Sequence, residues 1–179
     1  MTVINVAGLL QEQPGARRDH RLRDHYTSLS PEVDLAGPVN GTLRLQRTNR
    51  SILVTGRADA LVRRTCGRCT DAYEDEARVE IQEEFVPSVD LSTGGPTTVA
   101  AEGEDVRWIN ERHEIDLTPV LREEFALTEP IVTVCRADCR GLCPNCGRRL
   151  DDEHGDCTPV ELDERMAVLG RLLERRVEE

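Results

Sequence analysis

Residues 51–86 read SILVTGRADALVRRTCGRCTDAYEDEARVEIQEEFV, and the fold turns on this stretch. Ile52, Val54, Ala58, Ala60 and Val62 recur with period two, the spacing that lines one face of a β-strand. Tyr73, Ala77, Val79, Ile81 and Phe85 do the same further on. Between the two runs lies CGRC, so Cys66 and Cys69 sit in the connection between strands. Upstream, VNGTLRLQRT (39–48) places Val39, Leu43 and Leu45 on one face, and Asn49-Arg50-Ser51 is turn-like. The 39–48 and 52–62 runs, joined by this short polar link, suggest an antiparallel pair. The expectation is an antiparallel strand section over 39–86.

On either side the chain changes character. Residues 87–107, rich in Gly, Pro, Thr and acid, read as a linker. Over 108–179 helical spacing takes over. Leu117, Leu121 and Phe125 stack at i, i+4 and i+8, with Thr118 as the expected cap, Pro119 as first helical residue and a stop near Leu127. After Cys157, TPVE is a capping box, and Leu162, Met166, Leu169 and Leu173 mark a terminal helix. Residues 1–38 read as an N-terminal arm with a basic cluster, Arg17, Arg18, Arg21 and Arg23, accompanied by His20 and His25. The fold class expected is α+β: an antiparallel strand section, then a helix, a cysteine-rich zinc module and a C-terminal helix.

Composition narrows the chemistry. The 179 residues carry a formal net charge of -11, which disfavours a whole-surface grip on nucleic acid and favours basic protein partners. All basic residues are arginine, as a GC-rich genome would produce. No apolar run approaches bilayer length, and MTVINVAGLL lacks the basic start and small-residue cleavage site of a secretory signal. A cytoplasmic location and no membrane partner are expected. In that reducing compartment the 7 cysteines read as metal ligands before disulfides.

Five of those cysteines fall in CRADCRGLCPNCGRRLDDEHGDC (135–157). A C-x2-C pair places two thiolates on one ion, and Gly147 after CPNC permits the turn that requires. Adding His154 completes eight ligands, enough for two tetrahedral zinc sites. One partition joins Cys143, Cys146, His154 and Cys157 in a local knuckle, and Cys66, Cys69, Cys135 and Cys139 in a long-range site. The other has a single site of Cys139, Cys143, Cys146 and Cys157, with Cys66 and Cys69 free or weakly occupied. The two C-x2-C pairs stand in different contexts, and no internal repeat is apparent.

Catalytic readings find little. Thiolate-dominated sites are closed and structural, whereas catalytic zinc keeps a position for water. H-E-x-x-H is absent, and in His113-Glu114-Ile115 the acid follows the histidine directly. Neither CGRC nor CPNC has the strand-to-long-helix context of a thioredoxin-type motif. Glu83, Glu84, Glu123 and Glu124 form no defensible carboxylate pair, so no catalytic residue is assigned.

The order of features resembles the YceD family, the large ribosomal RNA subunit accumulation proteins. The resemblance rests on CGRC at 66–69, Glu83 and Phe85, IDL at 115–117, Glu123 and Pro130. Above all it rests on the run from Cys135 to Leu150 that contains GLCPNCG, followed by Asp163, Arg165 and Leu169. Where the family commonly shows C-x-C, this chain has HGDC, which makes His154 a candidate substitute ligand. The resemblance implies a bacterial cytoplasmic, non-enzymatic factor in large-subunit biogenesis. Its expected partner is a ribosomal protein or assembly factor, with a weak rRNA contact through Arg17, Arg18, Arg21 and Arg23. The alternative is a zinc-thiol redox-responsive partner-binding protein; a hydrolytic metalloenzyme ranks last.

Overall fold

The computed structural model describes residues 2–26, 29–31, 33–90, 95, 97, 106–150 and 157. The expected terminal helix, His154 and much of 87–107 lie outside the described residues. The described chain runs β1 (Val3–Asn5), α1 (Ala7–Leu10), β2 (Arg17–Asp24), β3 (Val39–Arg47), β4 (Ile52–Thr65), β5 (Ala72–Pro87), β6 (Arg107–Ile109), β7 (Glu114–Asp116) and α2 (Thr118–Leu127). It is mostly sheet with two short helices, an α+β arrangement.

Five strands form one sheet in the order β2-β3-β4-β5-β6, and β1 pairs with β7 in a small second sheet. The period-two runs become β3, β4 and β5, paired antiparallel. Their apolar residues share one face: Leu43, Leu45, Val54, Ala58, Val79 and Ile81 are all buried. That face is covered by the β1–β7 pair, α1 and α2, whose Leu9, Ile115, Leu121 and Phe125 complete the core. The opposite face is polar, as one-sided antiparallel sheets are.

The N-terminal segment is not a free arm. Residues 17–24 form edge strand β2 against β3, and β1 pairs with β7. Leu22 is the one buried residue of β2, so the strand carries almost no apolar alternation to betray it. Its charges suit an edge, where they discourage pairing with another chain. The 108–179 section also opens with strand character, since β6 and β7 precede the helix. β6 pairs parallel to β5, and a parallel return needs a connection of about a dozen residues or more, which the Gly/Pro-rich stretch supplies.

Helix α2 spans the expected residues, but its cap differs. Leu117 is the N-cap, and the Thr118 N–H donates to Asp116 Oδ1 at 2.9 Å. Thr118 Oγ1 instead accepts from the Thr2 N–H at 3.3 Å. At the other end Arg64 reaches from β4 to Thr128. Its Nη2 donates to the Thr128 carbonyl and hydroxyl, both at 3.1 Å, and its Nε to Asp75 Oδ2 at 3.1 Å. A cation here complements the helix C-terminus and fastens the far part of the β4–β5 hairpin to α2. Among the described residues no helix is long and apolar enough to cross a membrane.

Candidate metal centre

The β4–β5 hairpin ends in Cys66-Gly67-Arg68-Cys69-Thr70-Asp71, a turn closed by the Cys66 N–H to the Asp71 carbonyl (2.8 Å) and the Thr70 N–H to the Cys66 carbonyl (2.9 Å). The Arg68 N–H points at Cys66 Sγ, 3.4 Å away. Cys143 to Arg148 repeats the pattern: Cys143 N–H to Arg148 carbonyl (2.7 Å), Gly147 N–H to Cys143 carbonyl (2.9 Å), Asn145 N–H to Cys143 Sγ (3.4 Å). Four residues after the first cysteine, both turns need a left-handed residue, Thr70 at φ 62 and Gly147 at φ 70. Glycine adopts this freely, whereas threonine is strained there. The two C-x2-C segments are thus the same turn, a repeat hidden in sequence because only the cysteines coincide.

The chain after α2 brings more sulphur to the hairpin tip. The Gly67 N–H donates to the Thr133 carbonyl at 2.8 Å, delivering Cys135 and Cys139 beside Cys66 and Cys69. All four sulphurs lie within 4.8 Å of one another. Cys69–Cys135 is 3.7 Å and Cys66–Cys139 is 3.9 Å. Four thiolates about 2.3 Å from a central zinc would form a tetrahedron with edges of about 3.8 Å. A disulfide needs about 2.05 Å. The spacing therefore fits thiolate–metal coordination and is too long for a disulfide. Cys66, Cys69 and Cys139 are buried, with Tyr73 and Cys135 packed around them.

Cys143, Cys146 and Cys157 form a second group, also within 4.8 Å. Cys143 and Cys157 are 3.9 Å apart, and the Asn145 side-chain amide donates to Cys157 Sγ at 3.1 Å. Cys139, which one sequence partition assigned here, stands in the first group. His154 lies outside the described residues.

Proton affinities in the first group show what a cation would do. The backbone N–H groups of Cys69, Cys135 and Arg68 pull the Cys66 thiol down to about 6. Burial and the surrounding thiols push Cys69 up to about 12, and burial raises Cys135. Protein groups alone thus favour the thiolate at Cys66 and disfavour it at Cys69 and Cys135, where a bound cation would favour it. Asp71 stands at the margin, accepting from the Cys69 thiol at 3.2 Å and pairing with Arg149.

The match to the family model for "Large ribosomal RNA subunit accumulation protein YceD" runs over residues 54–173, about two thirds of the chain and all seven cysteines. The chain belongs to the YceD family. An uncharacterised protein of Mycobacterium tuberculosis is 32% identical over 141 residues, 79% of this chain and 65% of that protein. An uncharacterised Mycobacterium leprae protein is 28% identical over 123 residues, 69% of this chain and 54% of its own. A protein of Arabidopsis thaliana named "Large ribosomal RNA subunit accumulation protein YCED homolog 1, chloroplastic" is 25% identical over 158 residues, 77% and 49% of the two chains. The chain thus spans less than two thirds of the length of these relatives. No solved structure matches.

In this YceD-family chain, sequence reading found the cysteines but missed what joins the two groups. The Leu142 N–H donates to the Arg68 carbonyl (3.1 Å), and Arg68 Nη1 to the Cys139 carbonyl (2.9 Å). Gly141, at φ +78, lies so close that an added Cβ would stand 2.9 Å from the Arg68 oxygen. The positive-φ glycine in GLCPNCG was the available signal.

Proposed function

We propose that this chain is a non-catalytic factor in the accumulation of large-subunit ribosomal RNA, built around structural zinc. The YceD-family match over both cysteine groups carries this reading. Cys66, Cys69, Cys135 and Cys139 would hold one ion. Cys143, Cys146 and Cys157 would hold a second, with His154 as fourth ligand. A closed thiolate shell is a structural one, and it would lock the segment after α2 to the hairpin tip. Burial of Cys66, Cys69 and Cys139 weighs against a redox-sensing role, since reactive thiolates need exposure. Thiolate ligands suit the reducing cytoplasm. The charge of -11 favours a basic ribosomal protein or assembly factor as the direct partner, in a contact weakened by salt.

Depletion followed by subunit profiling is the test. Large subunits and their rRNA should fall relative to small subunits and recover with the parent gene. An unchanged ratio overturns the ribosomal reading. The purified reduced protein should contain about two zinc ions per chain, falling toward about one in His154→Ala. Absence of zinc, with all thiols titrating freely, overturns the metal reading.

A further inference from the structure

The β2–β4 part of the main sheet's polar face carries a charge opposite to that of the chain, and the acidic row Glu74, Glu76, Glu80 and Glu84 of β5 borders it. Strand pairing brings Arg17, Arg21 and Arg23 of β2 onto one face with Arg44 of β3 and Arg57 of β4. Where these three strands pair, only Asp19 and Asp59 oppose the five arginines on that face. Arg18, fourth member of the sequence cluster, points to the other side and pairs with Glu12 at 2.5 Å. The structure thus splits the basic cluster and completes it with two arginines from remote sequence.

These cations are only lightly engaged. Arg57 pairs with Glu80 at 3.0 Å, but both side chains are about three-quarters exposed, so the pair is weak and yields readily to another anion. Arg44 bonds Asp19 at 2.9 Å. Arg21 and Arg23 make no ion pair among the described residues. Arg21, Arg44 and Arg57 line a concavity of about 600 Å³ together with Thr42, Thr55, the backbone at Gly56 and one carboxylate, Asp19, which Arg44 neutralises. That volume lies in the range of small-ligand sites.

We propose that this face binds single-stranded RNA through its phosphates, resting on the large-subunit rRNA reading above. Guanidinium forks match phosphate oxygens bidentately. Successive outward residues of one strand are about 7 Å apart and neighbouring strands about 5 Å, so the arginines form an array suited to repeated anions. The threonine hydroxyls suit phosphate or ribose oxygens. No Phe, Tyr or Trp lines the concavity, and the one imidazole there, His20, shares the register of buried Leu43 on the other face, so recognition is of backbone, without base stacking. A splayed nucleotide enters a hollow of this size, which a stiff duplex bridges. The remaining negative charge of the chain confines the polyanion to this patch.

The test is fluorescence anisotropy of a fluorescein-labelled oligouridylate of about 15 nucleotides against the metal-replete full chain. Binding should weaken with salt at a log–log slope of about −2, as expected for about three phosphate contacts on a single strand. The triple variant R21Q/R23Q/R57Q should bind at least about tenfold more weakly while melting as the parent does. R18Q removes the same charge on the opposite side and should leave affinity unchanged. The assignment is overturned if the triple variant binds like the parent, or if R18Q loses as much per charge. It is equally overturned if an RNA duplex binds more tightly than the single strand, or if polyglutamate binds and RNA does not. Normal rRNA on depletion, with the oligonucleotide still bound, would sink the ribosomal reading alone. Reduced rRNA on depletion without oligonucleotide binding would sink this face alone.

Discussion

Replacing Arg64 with alanine should loosen the junction between the β4–β5 hairpin and α2, at a cost of about 3 kcal/mol. The side chain is 6% exposed and donates to Asp75, to the Thr128 carbonyl and to the Thr128 hydroxyl. A full buried-pair penalty would overstate the loss, because Asp75 is 42% exposed and regains water when its partner goes. Its share is therefore about 0.5–1 kcal/mol. The Thr128 bonds serve the C-cap of α2 and contribute about 1–2 kcal/mol through the charged donor and the helix dipole. The buried aliphatic stem adds about 1 kcal/mol. Urea unfolding of the reduced, metal-replete protein measures the total. Hydrogen exchange of the last turn of α2 should accelerate in the same variant. Asp75→Asn, which leaves the Thr128 bonds intact, should cost less than about 1 kcal/mol. The reasoning fails if R64A lies within about 0.5 kcal/mol of the parent, or if D75N costs as much as R64A.

Thr70→Gly should stabilise the first cysteine turn by about 0.5 kcal/mol, because relief of the left-handed strain outweighs the added unfolded-state entropy. A lower urea midpoint in T70G would contradict the shared-turn description. Gly141→Ala should destabilise the protein by about 1–3 kcal/mol, since its φ is positive and the new Cβ would press on the Arg68 carbonyl. A neutral thermal shift would show that the 139–150 segment does not dock on the hairpin tip as described. Chelation should expose the segments around both cysteine turns to protease while β2, β3 and the paired part of β4 stay protected. Cys135→Ser should release the chain after α2 from the hairpin, whereas Cys146→Ser should leave that attachment intact. Identical digestion patterns for the two variants would argue against separate centres.

Much of the architecture is written locally. β3, β4 and β5 were legible because a half-buried strand must alternate, and Val54, Ala58, Val79 and Ile81 all fall on the buried face. Helix α2 was legible because Leu117, Leu121 and Phe125 recur at helical spacing, and all three are buried. The placement of CGRC between two strands followed directly. β2 was not legible, because an edge strand with one buried residue has almost no pattern, and tertiary pairing with β3 decides its conformation. Three-residue β6 and β7 are too short for any period to show.

The same division runs through the candidate site. The cysteine types and their x2 spacing mark candidate metal ligands, because that is a property of neighbouring residues. Which sulphurs share a centre depends on bringing Cys66 to Cys139 across 73 positions, and only the hairpin tip meeting the chain after α2 does that. The arginine face is likewise a product of register. Side chains alternate across a strand, so Arg17 and Arg18 part company although adjacent, while Arg21 and Arg57 join one surface although they share no sequence neighbourhood.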